Sequence, residues 1–290
     1  MIAGGVESMT RAPYVMGKAG TAFGRAQKLE DTTLGWRFIN AAMQAAYGVD
    51  TMPQTGEAVA AMFGIGREDQ DRFAFNSQTK AAAAQASGRL ALEIMPVSVV
   101  QAKGEPRRFE HDEHPRATDL QSLARLKPVV QTDGTVTAGN ASGLNDGAAA
   151  MLVASEGAVA KHGLTPRARV IGMAAAGVAP RIMGIGPIEA ARRVLGRTGL
   201  TMDQMDVIEL NEAFASQAIA TMRELDVDPF DDPRVNPNGG AIALGHPLGM
   251  TGARLAMTAV EELHQHGGRY ALVFLCVGVG QGLAVVLERC

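Results

Sequence analysis

The chain has 290 residues, of which 47% are hydrophobic, 20% charged and only 4% aromatic, with a formal net charge of −3 and a pI near 6.1. This is ordinary globular composition, long enough for one large or two ordinary domains, and it excludes a global basic field or an aromatic stacking platform for nucleic acid. No apolar run reaches the ~18 residues of a membrane-spanning helix, and two cysteines, Cys276 and Cys290, cannot build a disulfide framework, so a reduced, cytoplasmic setting is expected.

Residues 1–5, MIAGG, carry neither a charged leader nor a cleavage signal. They read as the end of a buried strand running into a glycine turn. A strand needs neighbours, so Met1 is expected to lie inside a longer ancestral domain. Residues 11–56 show little periodicity and many turn formers. The string DTMPQTG at 50–56 predicts a turn leading into a short helix over 57–63. A helix is expected over 67–87, with Glu68, Asp69 and Asp71 at its positive end, alanines through 81–84 and Gly88 as the stop. Val-rich 95–100 reads as a strand, and 103–120 as a charged, Pro-containing exposed loop.

From residue 129 short apolar strands alternate with helices. Strands are expected at 148–154, 169–173 and 206–210, and helices at 155–162, 187–198, 212–225 and 251–266. Two apolar runs follow, 270–276 and 283–288, with the continuity of strands buried on both faces. Strand–helix alternation predicts an α/β fold. The short glycine-rich link makes the last two strands antiparallel neighbours.

Four stretches carry possible chemistry. NPNGGAIALGHPLGMTG, 236–252, holds five glycines and two prolines, so it reads as a loop held close to something and ending at a helix N-terminus. His246 sits in it between Gly245 and Pro247. LCVGVGQG, 275–282, places Cys276 at a strand end before three glycines. That cysteine is either a small core hydrophobe or a poised thiol, and the glycines allow backbone N–H groups to face an anionic oxygen. A dinucleotide fingerprint fails here, because the chain ends ten residues after Gly280, with no following helix and no acidic residue about twenty positions on. In ELNEAFA, 209–215, Asn211 falls where strand passes into helix, as a ligand-facing residue or as an N-cap. TAGNASGLNDG, 137–147, is either a plain loop or a surface for a thin amide-bearing ligand.

Together these stretches resemble the thiolase family, whose hallmarks are a GHP loop, a strand-end C-x-G, an NEAF segment and a TAGNASG loop. AGGVESMTRAPY near the start resembles the segment that follows the family's nucleophile-bearing helix, so the likeness runs along the whole chain. The strings EDTTLGWRF, YGVDTMPQTGE, GVAPRIMGIGP and ELNEAFASQA look most like the branch acting on 3-oxoadipyl-CoA in aromatic-compound breakdown.

The resemblance implies a layered αβαβα fold of two similar halves, with the first half incomplete. Residues 1–158 would be the first domain, including an inserted loop domain over about 15–145, and residues 165–290 the second. It implies an acyl-CoA C-acyltransferase that cleaves a 3-ketoacyl-CoA, such as 3-oxoadipyl-CoA, by thiolysis, or runs the reverse Claisen condensation. By motif match His246 activates the nucleophile and Cys276 is the acid/base. His246 and a water held by Asn211 would form one oxyanion hole, and the Gly278 N–H, with the N–H of the family's nucleophilic cysteine, would form the other. Ser142 and Ala138 would touch pantetheine, and Arg116 the nucleotide end, with Lys103, Arg107 and Arg108 adding positive charge. No metal or redox cofactor is needed, since coenzyme A is a substrate. The expected partners are acyl-CoA, CoA and further copies of the chain in a dimer or tetramer, with no nucleic acid and no membrane.

Two departures stand out. The family's nucleophilic cysteine, in a C-x-S-G-like turn, has no counterpart here. Residues 1–290 alone are therefore expected to be inactive and poorly soluble. Thr251 stands where the family usually has Ser, which keeps the hydroxyl. The competing reading is a non-catalytic thiolase-like protein that binds acyl-CoA or a partner.

Overall fold

The computed structural model describes residues 1–290. Strand β1 (Ile2–Glu7) opens the chain and is followed by a small hairpin of β2 (Tyr14–Met16) and β3 (Leu29–Asp31). Helix α1 (Ala41–Tyr47) starts at Asn40, whose side chain accepts from the N–H groups of Ala42 and Met43. Helix α2 spans Met52–Phe63, so the turn expected over 50–56 is instead its first turn. Thr51 forms a capping box with Gln54, and Pro53 is tolerated because a first-turn N–H has no partner in the helix.

Helix α3 (Arg67–Ala86) matches its expected span, and β4 (Val97–Val99) falls inside its own. The charged stretch expected as loop contributes β5 (Arg107–Phe109), antiparallel to β4, and at its end α4 (Leu120–Ala124), capped by Asp119. Then come β6 (Gly147–Leu152) and α5 (Glu156–His162). Strand β7 (Ala168–Gly177) runs beyond its expected end, because Ala174 and Ala176 continue into the core.

Helix α6 (Gly186–Thr198), β8 (Val207–Leu210) and α7 (Ala215–Glu224) follow. Helix α7 begins at Ala215 rather than 212, because Phe214 is still extended. The glycine-rich stretch is not wholly loop: AIAL contains no breaker and winds into the one-turn helix α8 (Ala241–Leu244). Helix α9 (Leu248–His266) starts one turn before its expected position, directly after Pro247. Strands β9 (Tyr270–Val277) and β10 (Gln281–Arg289) close the chain as the expected antiparallel pair.

The main sheet has the order β7-β10-β9-β8. Strand β10 is antiparallel to both neighbours, and β8 runs parallel to β9 with Leu210 opposite Phe274. Helices α6 and α7 cover one face, and α2 and α3 join them around a core that includes Val194, Ile208, Ile219 and Phe274. Helix α9 covers the other face through Leu255, Ala259 and Leu263. Its opposite side packs on β1 and β6, which form a two-stranded antiparallel sheet. The order is therefore helices, sheet, central helix, sheet, an α/β fold in the layered order that the resemblance implies.

Small residues let these layers touch through backbone. A Cβ on Gly282 of β10 would lie 2.0 Å from the carbonyl carbon of Gly186, at the start of α6. Neither backbone can yield without separating helix from sheet. Gly282→Ala is therefore expected to destabilise the fold by about 2–3 kcal/mol or more. Gly196→Ala, in an exposed turn of α6 with open space around it, should instead gain about 0.5–1 kcal/mol. Urea unfolding of the two variants checks the pair, and equal effects would contradict the close contact.

Candidate active site

Parallel pairing of β8 and β9 puts their C-terminal ends at one edge of the sheet. Asn211 extends the ladder by donating its N–H to the Phe274 carbonyl at 3.1 Å. Cys276 lies two residues further along β9. It is buried, and packs with Val136, Met183, Ala213 and Phe214. Apolar burial pushes its thiol pKa up to about 12. As it stands it is a protonated acid rather than a nucleophile. The other cysteine, Cys290, is exposed beyond the end of β10.

His246 reaches the same edge from the link between α8 and α9. Its N–H donates to Asn145 Oδ1 at 3.3 Å, and the Asn145 amide leaves no room for a side chain on Gly245, whose φ is 93°. The imidazole Nδ1 is 2.8 Å from Thr251 Oγ1, and that hydroxyl lies 2.9 Å from the Pro247 carbonyl. A hydroxyl has one proton, and a carbonyl can only accept, so the Thr251 proton goes to Pro247. Nδ1 must then carry the ring proton and donate to Thr251. This leaves a lone pair on Nε2, which receives the Asn211 Nδ2–H at 3.3 Å. Burial, aided by the positive charge of Arg254, lowers the His246 pKa to about 4. The ring is a neutral base with its lone pair at a fixed place.

The remaining candidates are set around this pair. Ser142 donates both its N–H (3.0 Å) and its hydroxyl (3.2 Å) to the Ala213 carbonyl, and Ala141 bridges Phe214. The TAGNASG loop is thus tied to the NEAF segment. Gly278 is half-buried in the turn between β9 and β10, where Val279 and Gly280 take positive φ. Ala138 is exposed. Arg116 is also exposed and is anchored through its main-chain N–H to Gln78 Oε1 at 3.0 Å. Neither residue hydrogen-bonds to His246, Asn211 or Cys276. Arg107 and Arg108 are paired with Glu113 and Glu110, which offsets part of the positive charge expected of that loop.

Sequence reasoning missed Asn145 and the Glu212–Asn236 pair. Asn145 is 101 residues from His246, and a polar residue in a glycine-rich loop gives no local sign of such a contact. Glu212 is fully buried and Asn236 nearly so, with a 2.7 Å hydrogen bond between them, although a carboxylate beside a turn reads as solvent-exposed.

Comparison with known proteins places this geometry. The thiolase N-terminal domain family matches residues 1–157 and the thiolase C-terminal domain family residues 164–289. The chain is 62% identical over 290 residues to a beta-ketoadipyl-CoA thiolase of Acinetobacter baylyi, covering all of this chain and 72% of that protein. It is 59% identical over 290 residues to a 3-oxoadipyl-CoA/3-oxo-5,6-dehydrosuberyl-CoA thiolase of Escherichia coli, with the same coverage. The crystal structure of human mitochondrial 3-ketoacyl-CoA thiolase in complex with CoA superposes with a TM-score of 0.90 at 42% identity, covering 100% of this chain and 70% of that one.

Two predictions follow from the geometry. In ¹⁵N NMR, His246 should be a single Nδ1–H tautomer with a titration midpoint near 4. Thr251→Val, which removes the acceptor for that proton, should mix the tautomers. Because the folded pKa lies below the ordinary 6.5, the unfolded chain takes up this proton first. The stability contributed by the neutral ring is complete above pH 6.5 and is lost as pH falls towards 4. His246→Gln should remove that part of the slope. Independently, iodoacetamide at pH 8 should label Cys290 and leave Cys276 at least about a hundredfold slower until the chain unfolds, because only the thiolate reacts. Peptide mass spectrometry reads the difference.

Proposed function

The chain belongs to the thiolase family and is an acyl-CoA acyltransferase, and from that premise we propose that its reaction is the thiolytic cleavage of 3-oxoadipyl-CoA to a shortened acyl-CoA and acetyl-CoA. The observation that carries the chemistry is the neutral His246 ring with its Nε2 lone pair beside Asn211, at the sheet edge where Cys276 lies. The substrate rests on relatives about 60% identical, whose names specify beta-ketoadipyl-CoA or 3-oxoadipyl-CoA.

In this reading His246 acts twice. Its Nε2 first takes the proton of an attacking thiol. The new Nε2–H then faces the substrate oxygen and, with Asn211, stabilises the charge that develops there. One such donor is typically worth about 3–4 kcal/mol in the transition state. Breaking the carbon–carbon bond leaves an enolate of acetyl-CoA. Cys276 gives its Sγ proton to the enolate carbon, and the resulting thiolate recovers a proton from the incoming CoA thiol, whose sulfur then takes the acyl group, while the attacking thiol leaves as a thiolate and regains its proton from His246 Nε2. A thiol held protonated by burial suits this direction, which needs an acid first. Gly278 N–H is assigned to the enolate oxygen. Ser142 and Ala138 are assigned to the pantetheine arm and Arg116 to the nucleotide end, where Lys103 is the nearby loop cation without an ion pair. Coenzyme A enters as substrate, and the proposed steps need no metal.

The acyl-accepting thiol is assigned to neither cysteine of residues 1–290, because Cys276 is the proton donor and Cys290 lies at the far end of β10. The domain division at about 158–165, a dimeric or tetrameric assembly and a cytoplasmic location complete the proposal. No helix is long and apolar enough to cross a membrane.

The protein purified from its native cells should cleave 3-oxoadipyl-CoA with kcat/KM at least about tenfold above that for 3-oxopalmitoyl-CoA, a difference of about 1.4 kcal/mol in transition-state binding. Comparable values would overturn the substrate assignment. A stable acyl adduct on Cys276 during turnover would overturn the assignment of roles.

A further inference from the structure

Three hydrogen bonds to the Glu212 carboxylate join parts of the chain that are far apart in sequence. Glu212 Oε2 accepts from Ser77 Oγ of α3 at 2.6 Å and from the Ile242 N–H of α8 at 3.1 Å. Oε1 accepts from Asn236 Nδ2 at 2.7 Å. Asn236 in turn pairs with both main-chain groups of Leu210, the last residue of β8, at 2.8 and 2.9 Å. Ser77 Oγ also receives the Gly240 N–H at 3.0 Å. The fit is tight, since a Cβ on Gly240 would fall 2.2 Å from the Glu212 carboxyl carbon.

Glu212 follows Asn211 directly, and Ile242 lies four residues before His246. One carboxylate therefore grips both sides of the Asn211–His246 contact, although it touches neither ring nor amide in that contact. The cavity beside it, lined by Ser77, Lys80, Glu212 and Asn236 among others, measures only about 10 Å³, room for one water at most. Glu212 is therefore not a ligand-binding group. It is also more than core filling. Burial holds its pKa above the ordinary carboxylate value, against the pull of the Ser77, Asn236 and Ile242 donors and the nearby Lys80 charge, and both of its oxygens accept hydrogen bonds. Lys80 is itself fixed, with Nζ 2.8 Å from the Val235 carbonyl.

We infer that Glu212 is a positioning residue for catalysis, a buried carboxylate clamp that sets the Asn211–His246 distance by tying the exit of β8 to the helix turn leading into His246. This rests on the geometry of the site and not on the identity of the acyl chain, so failure of the substrate assignment leaves it standing.

The test reads His246 directly. In Glu212→Gln one acceptor oxygen becomes an amide facing N–H and O–H donors, with little change in shape. The His246 midpoint should rise from near 4 by about one pH unit or more as water reaches the loosened loop, and the single Nδ1–H tautomer should give way to a mixture. Ser77→Ala, a milder loss of one donor, should shift the midpoint in the same direction by less, and it carries the test if Glu212→Gln does not fold. Val194→Ala is the control. It removes core packing on α6, away from the loop, and should lower Tm while leaving the His246 titration and tautomer in place. A folded Glu212→Gln with an unmoved midpoint and tautomer would overturn the clamp. So would an unfolded Glu212→Gln accompanied by an unshifted Ser77→Ala, or a Val194→Ala control that moves His246 as far as the clamp variants do.

Discussion

Burial of α9 between two sheets is the constraint on which the rest of the molecule depends. A helix covered on two sides must present apolar or very small residues to each sheet, and its ends must be held by the layers that enclose it. At its N-terminus the backbones meet without intervening side chains. A Cβ on Gly5 of β1 would lie 1.7 Å from the Gly249 carbonyl oxygen, and Glu7 accepts the Gly249 N–H at 3.0 Å. The first turn of α9 is thereby fixed against β1, while Leu255 and Leu263 fix the helix against the main sheet. Thr251, in that first turn, inherits this rigidity and passes it to the His246 ring.

The chemistry depends on the same enclosure. Withdrawal from water disfavours the charged form of any titratable group, so it moves bases down and acids up. His246 goes to about 4 and Cys276 to about 12. Both groups are neutral over the physiological range, the first with a basic lone pair turned towards Asn211 and the second with an available proton. Such separation of two titratable groups at one sheet edge is how a fold assigns acid and base roles.

Much of this was legible in the sequence where the physics is local. The alternation from residue 129 onward is hydrophobic periodicity, and it located β8, β9 and β10 and the bodies of α6, α7 and α9. The GHP and C-x-G stretches drew attention to His246 and Cys276, because glycines at a strand end or before a helix are hard to explain as packing alone. Elements below about one or two helical turns were missed. Helix α8 is four residues of AIAL among glycines, and β5 is three residues within a charged run. The start of α2 was missed for a different reason. Pro53 and Gly56 read as breakers, whereas a capping box and a first-turn proline in fact begin a helix. Long-range polar contacts were invisible. Asn145 to His246, Ser77 to Glu212 and Asn236 to Leu210 span 101, 135 and 26 residues, and each joins a side chain whose own neighbours give no sign of burial.

These invisible contacts also explain how so polar a set of side chains survives in the interior. An unpaired buried carboxylate or amide costs stability, whereas one whose acceptors and donors are matched rigidifies its surroundings. Glu212 and Asn236 are matched by one another, by Ser77 and by main-chain groups at the end of β8 and the start of α8. Asn211 is different. Its Nδ2 meets His246, but its Oδ1 is buried and makes no hydrogen bond within the chain. Among residues that otherwise satisfy each other, an acceptor left open at the sheet edge beside the reactive imidazole is where a water or a substrate group finds a complementary partner. The carboxylate network behind it thus holds an unpaired acceptor at a position where binding can relieve it.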